Sequence, residues 1–292
     1  MTGRSPVVRG MMWMALTGFI FILLNTIMKK LSHELDPWLV GFLRYFFGAL
    51  VMIGPAMRLG ARAWRSSAPL LQFVRGLFHA GGMMLWFAAL PFVTLPELTA
   101  IGFTGPIFIC LGATLFLGER MSLARWAAVL IGFSGVLLVV RPWAPGGFGG
   151  ISHGVLLMLA SAPVFAGSFL VAKKLTRHDP SEVVVLWQHL WVSILLAGFA
   201  VSLWMPPTPR QWALLIACGF LGAAGHYCMT RAFRVADISA TQPIKFLELV
   251  WAALLGFVVF DTLPTGATVA GGLVILASTL LLARHEARGA PR

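Results

Sequence analysis

The chain has 292 residues, of which 59% are hydrophobic and only 11% charged, where an ordinary soluble domain carries about 25% charged residues. A mean hydropathy of +0.86 leaves more apolar surface than a water-soluble globule of this length hides, which excludes a soluble enzyme or binding domain and implies an integral membrane protein. In that class the formal net charge of +12 reads as loop charge that orients the spans, and no nucleic-acid partner is expected.

A helix needs about 20 apolar residues to cross about 30 Å of hydrocarbon. Apolar runs bounded by charge, Pro or Gly predict ten spans, at 10–28, 38–57, 69–90, 95–117, 123–140, 152–172, 181–203, 209–232, 238–260 and 264–283. Arg4 and Arg9 precede the first run, which is too long for a signal peptide and lacks a small-residue cleavage site, so it is read as a retained span. Helices are expected because backbone polar groups in lipid must be satisfied within the segment. Cys110, Cys218 and Cys228 all fall in apolar runs, with neither disulfide nor zinc spacing, and no metal or cofactor is expected.

The two halves of the chain resemble each other. Met28-Lys29-Lys30-Leu31 followed by Asp36-Pro37 recurs as Ala172-Lys173-Lys174-Leu175 followed by Asp179-Pro180, an offset of 144 slipping to 143. Two five-helix repeats, 1–144 and 145–292, are therefore expected, and the odd span number makes the second enter the membrane inverted. With a cytoplasmic N-terminus, fifteen Lys and Arg fall on the inner side and four on the outer. The positive-inside rule then predicts both termini in the cytoplasm of a cell inner membrane.

Ten spans in two inverted halves, Phe42-Leu43-Arg44-Tyr45 early in span two, and Pro106 through Gly118-Glu119-Arg120 across span four resemble the drug/metabolite transporter superfamily, EamA type. The second half departs from that pattern, with Asp261 where the family has Glu and Glu248-Leu249 where a Pro is expected. The resemblance implies an all-α membrane fold and a secondary transporter, similar to bacterial exporters of amino acids, aromatic ones included.

Charged groups at bilayer depth cost about 2.5–3.5 kcal/mol each on insertion scales, so those that persist face a cavity or a partner. Arg44, Arg75, His79, Glu97, His189, His226, Lys245 and Glu248 are the candidates. On span three, Arg75, His79, Gly82 and Trp86 share a helical face flanked by Phe78 and Met83, which suits an amphipathic solute. The bland reading is that Arg75 snorkels and His79 bonds a neighbouring helix. Arg44, Arg75, Pro106 and Glu119 are read as structural. Gln242, Lys245 and Glu248 line one face after Pro243, either as polar cavity or as a self-neutralising pair. Glu97 and Glu248 are candidates for proton or charge coupling, Glu97 also reading as a rim residue. Thr99, Phe103, Phe165, Phe169, Trp187, Gln188, Trp191, His226 and Tyr227 complete the expected substrate wall, with Asn25 beside it. Small residues Ala124, Ala128, Gly132, Ala267 and Gly271 mark spans five and ten as scaffold or oligomer contacts.

The expected function is export of small amphipathic metabolites, neutral or aromatic amino acids first, by alternating access through a central cavity. No phosphate-binding loop is present, so the energy source is a gradient. Pro106, Pro163 and Pro243 are expected flexing points. Export of a nucleoside-like or cationic compound is the alternative; a membrane enzyme or a channel is the reading from another class. The partners are a small-molecule substrate and the bilayer, the chain being a monomer or a homodimer.

Overall fold

A computed structural model describes residues 5–60, 64–89, 92–93, 101–145, 152–260, 263 and 265–288. Among them every regular element is helical. The elements are α1 (Pro6–Leu31), α2 (Pro37–Met57), α3 (Pro69–Ala89), α4 (Gly105–Leu117), α5 (Leu123–Val140), α6 (His153–Leu175), α7 (Ser181–Ser202), α8 (Pro209–Val235), α9 (Ile238–Thr241), a 3-10 segment (Gln242–Phe246), α10 (Leu247–Phe260) and α11 (Gly266–Arg288). Among the described residues eight helical stretches are long and apolar enough to cross a membrane: α1, α2, α5, α6, α7, α8, α11 and the broken stretch Ile238–Leu255. The chain is thus a multi-pass membrane protein; α3 is not among the eight, and α4 is a shorter apolar helix.

Local chemistry sets the helix ends. Side chains of Ser5, Asp36, Ser122, Ser152 and Thr208 accept hydrogen bonds from first-turn amides, and Thr208 with Gln211 forms a capping box. Gly118, at φ 68°, ends α4 in the left-handed region that a Cβ disfavours. Two spans depart from the expected continuous helices. The fourth is interrupted by a turn at Phe103–Thr104, so Pro106 sits in the first turn of α4. There its missing N–H would have been unpaired anyway, and Pro106 is a helix start, not a mid-span flexing point. The ninth breaks into α9, the 3-10 segment and α10, because Pro243 cannot donate to the helical ladder.

The packing brings sequence-distant helices together. α1 lies against α8, α3 against α6 and α7, α2 against α7 and α8, α4 against α6, α1 against α10, and α5 against α11. Glycines permit the closest of these crossings. A Cβ on Gly135 would lie 2.9 Å from Gly271 O, and one on Gly271 would lie 2.5 Å from Gly135 O, so α5 and α11 touch main chain to main chain. Gly132 instead receives the Phe246 ring of the 3-10 segment.

The start of α1, the α8–α9 corner and the end of α11 meet at one end of the bundle. Gly10 lies against Ala236, and Arg125 joins Asp237 to Glu286, at 3.1 and 2.8 Å. This terminus-bearing face is closed by polar contacts between distant segments. Asp179, 2% exposed, accepts from Ser66 Oγ, from Ser67 N at 2.8 Å and from Gln72 Nε2 at 2.8 Å. Lys173 donates to Phe233 O and Ala236 O, each at 2.6 Å. On the opposite face Glu34 accepts from Gln211 Nε2 at 2.9 Å and pairs with Arg210 at 3.5 Å. The Gln211 hydrogen bond foremost, aided by the Arg210 charge, holds the Glu34 carboxyl below its usual range.

Candidate functional site

A cavity of about 560 Å³ occupies the half of the bundle away from the termini. Its wall comes from the second halves of α1 and α3, residues 101–109, the first two thirds of α6, and α10. Arg44 and Tyr45 of α2, His226 of α8 and Lys245 of the 3-10 segment complete it. No residue of α5, α7 or α11 reaches it. The surface is mostly ring and thioether, with Phe21, Met83, Trp86, Phe103, Met158, Phe165 and Phe169. That composition suits a flat apolar body carrying a few polar groups.

The deep wall is polar. Tyr45 Oη lies 2.6 Å from His79 Nε2, His79 Nδ1 lies 3.2 Å from Ser168 Oγ, and Ser168 Oγ donates to Arg75 O at 3.3 Å. Tyr45, His79 and Ser168 thus form one hydrogen-bonded chain that ends at the Arg75 carbonyl. The His226 ring stands 5.4 Å from both the His79 and the His189 rings, and both of its nitrogens lack a partner. His189 Nδ1 donates to Val185 O at 2.9 Å. Among the described residues no group of three His, Cys, Asp or Glu is placed to hold a metal.

Among the described residues three charged groups face the cavity: Arg44, Lys245 and Glu248. The ion pairs among the described residues are Arg125–Asp237, Arg125–Glu286 and Arg210–Glu34, so neither cation has a carboxylate within 4.0 Å there. Arg44 contacts Met28 Sδ at 3.5 Å and lies 4.9 Å from the Tyr45 ring centre. The Lys245 ammonium lies 5.4 Å from the Phe169 ring centre. Arg44, read from sequence as structural, is thus a cavity residue, and Lys245 and Glu248 do not form a close pair.

The remaining candidates divide. His79, Met83, Trp86, Phe103, Phe165, Phe169, His226, Lys245 and Glu248 line the cavity. Thr99 and Glu97 lie outside the described residues. Arg75 is fully buried between α3 and α7, donating to Val184 O at 2.7 Å and to Gln188 Oε1. The Oε1 of Gln188 is turned to Arg75, and Trp191 packs over Gly76 beside Trp187; all three α7 residues stay behind the wall. Gly82 is covered by the Phe165 ring, and Phe78, 40% exposed, packs on Gly167 across the outer side of the α3–α6 crossing. Tyr227 hydrogen-bonds Glu182 at 3.2 Å, away from the cavity, and Gln242 is buried in the 3-10 segment. Tyr45 was missed as a site residue, although it is one of two tyrosines in the chain and follows Arg44 directly.

A latch joins α4 to the broken span below the cavity. Glu119 accepts from Ile238 N at 2.9 Å, Ser239 N at 3.0 Å and Ser239 Oγ at 2.7 Å, capping the start of α9. Arg125 donates to Ser239 Oγ at 3.0 Å. The structural role expected of Glu119 therefore has a definite partner, on a segment more than a hundred residues away.

A membrane-spanning helical bundle with a solute-sized cavity in one half and polar contacts between distant segments closing the opposite end is built as a solute transporter. Residues 8–141 and 152–284 each match the EamA-like transporter family, and the chain belongs to that family. It is 35% identical to a riboflavin transporter of Rhizobium johnstonii, covering 97% of this chain and 94% of that protein. An S-adenosylmethionine uptake transporter of Rickettsia bellii is 27% identical, with 90% and 89% covered. A pseudopaline exporter of Pseudomonas aeruginosa is 26% identical, with 95% and 96% covered. One crystal structure superposes with a TM-score of 0.81 at 23% identity, over 98% of this chain and 99% of that one, which shows the fold.

Proposed function

We propose that the chain is a secondary transporter for a planar heteroaromatic metabolite rich in hydrogen-bond acceptors, with riboflavin the first candidate. The observation that carries this is the pair of cavity cations, Arg44 and Lys245, set among aromatic rings without a carboxylate within 4.0 Å among the described residues. A donor-rich, ring-walled site suits carbonyl and hydroxyl oxygens on a flat aromatic core. It suits the cationic sulfonium of S-adenosylmethionine less, because two like charges already face the space. Amino acids, the expectation from sequence, underfill a cavity that falls within the range of about 300–1,000 Å³ typical of drug-sized ligands. The similarity to the Rhizobium riboflavin transporter supports the same choice.

Alternating access follows from two five-helix halves, 1–144 and 145–292, related by inversion. The pairings support it: exchanging each helix for its counterpart turns α1 on α8 into α6 on α3, and α2 on α8 into α7 on α3. In this reading both termini face the cytoplasm of an inner membrane and the cavity faces outward.

Counterflow in proteoliposomes with labelled riboflavin, and with tryptophan, phenylalanine and S-adenosylmethionine as comparison arms, tests the substrate. Saturable riboflavin exchange in either direction is expected. Exchange of tryptophan without riboflavin would overturn the proposal. Removing the stacking ring in Trp86→Ala, or the cation in Arg44→Ala, is expected to raise the half-saturating riboflavin concentration about tenfold, equivalent to about 1.4 kcal/mol. The Phe78→Ala variant, on the outer face, leaves it unchanged.

A further inference from the structure

Glu248 stands in the first turn of α10, directly after the 3-10 break, and is 8% exposed. It is part of the wall of two separate spaces. One is the substrate cavity; the other is a void of about 10 Å³ enclosed by α1, α6, α8 and the broken span. A void of that size takes about one water molecule. Among the described residues Glu248 Oε1 has no hydrogen-bond partner, and neither has the Oε1 of Gln242, a residue 1% exposed on the same void. Thr17, the third polar neighbour, has committed its hydroxyl hydrogen to Trp13 O at 2.9 Å. The Lys245 ammonium and the Gln242 amide nitrogen can supply hydrogens at this wall, while Glu248 Oε1 and Gln242 Oε1 stand as open acceptors.

We propose that Glu248 with this void is the proton-binding site that couples transport to a proton gradient. The carboxylate takes one proton from water on one face, becomes a neutral acid that can donate to an acceptor in the void, and releases the proton to water on the other face. No covalent bond to the substrate forms. Its position on both spaces makes the protonation state of Glu248 visible to the bound solute, and its place at the helix break puts it on the segment that must reshape between the two access states. Among the described residues the ionisable groups facing it are Lys245 from the 3-10 segment and, across the cavity, Arg44 and Tyr45 of α2, His79 of α3 and His226 of α8. Of the helices packed against it, α1 offers the uncharged Thr17, Asn25 and Thr26, and α11 carries its ionisable residues in its last turns, at the terminus-bearing end.

The inference rests on transporter activity, not on the choice of riboflavin, and two measurements separate these. In pH-difference infrared spectra of the purified full chain, wild type should show a titrating carboxylic-acid carbonyl band that disappears in Glu248→Gln and persists, shifted, in Glu248→Asp. In proteoliposomes with the membrane potential clamped, an imposed pH gradient should raise wild-type riboflavin flux several-fold over the gradient-free rate, and in Glu248→Gln that ratio should fall to one. A band unchanged by Glu248→Gln, the lack of any titrating band in wild type, or a gradient ratio preserved in the variant overturns the proposal. Riboflavin that fails to move in wild type, while the band titrates and is lost in Glu248→Gln, overturns the substrate assignment and supports the proton site.

Discussion

The Gly219→Val variant is expected to be markedly less stable than wild type. A Cβ at Gly219 would overlap the Cβ of Phe47 and lie 2.9 Å from Gly48 N. Neither obstacle can rotate away, since one is the root of a side chain and the other is backbone. Gly48 is itself pressed by the His189 ring and lies 3.3 Å, measured from a Cβ placed on it, from Gly219 O. Thus α2, α7 and α8 meet at a single point with no slack. Overpacking a core costs about 1–3 kcal/mol, and a main-chain collision belongs at the upper end. Against a total stability of about 5–15 kcal/mol, such a loss lowers the thermal midpoint by roughly 10 °C. A thermal-shift series on detergent-purified protein, read by the monodisperse elution peak, measures it. The Gly198→Ala variant is the control, because nothing lies within 4 Å of the added carbon and alanine is the better helix former. Equal midpoints for Gly219→Val and wild type would show that the α2–α8 crossing yields more than its geometry allows.

That crossing also illustrates what could be read from the residues alone. Apolar run length located the helices, because lipid demands internally bonded backbone, and Pro243 marked the break in the ninth. Periodicity on α3 grouped Arg75, His79 and Trp86 on one side. It could not say that the side is shared between two neighbours. Gly76 admits Trp191 of α7 and Gly82 admits Phe165 of α6, so Arg75 is drawn to Val184 and Gln188 while His79 and Trp86 reach the cavity. The α7 aromatics were placed in the wall for the same reason: a helix has a face in sequence, but the face acquires a neighbour only in three dimensions. Arg44 was assigned a packing role because a lone cation in a span usually has a partner, and the α2–α8 contact at Gly222 instead leaves it beside open space. Likewise the Gly118-Glu119-Arg120 ending was legible as a motif, whereas the amides that Glu119 caps lie on a segment fixed by tertiary packing.

The Glu119→Ala variant is expected to open the terminus-bearing face. Its carboxylate holds two backbone amides and the hydroxyl of Ser239, at 2.7–3.0 Å, and hydrogen bonds to a charged group contribute about 1.5–3 kcal/mol each. Glu119 is 9% exposed at the edge of a polar cleft shared with Arg125 and Asp237, so water replaces part of what is lost. A net loss of about 3 kcal/mol is expected, which moves the ratio of closed to open forms by roughly 100-fold. Cys110 reports the change. It is fully buried, with its Sγ 3.9 Å from Ser239 O, directly behind the latch. With Cys218 and Cys228 replaced by alanine, a membrane-impermeant maleimide supplied to the terminus-bearing face should label Cys110 slowly in the parent and at least tenfold faster in Glu119→Ala. The Glu119→Gln variant, which keeps one accepting oxygen, should fall between them. A thermal midpoint close to that of the parent separates opening from unfolding. If Cys110 labels at the parent rate while the fold is intact, the α4–α9 contact does not control access, and closure of this face must rest on the Asp179 and Lys173 contacts beside it. In that event Asp179→Ala should give the acceleration that Glu119→Ala did not, because it releases Ser66, Ser67 and Gln72 from the α6–α7 corner.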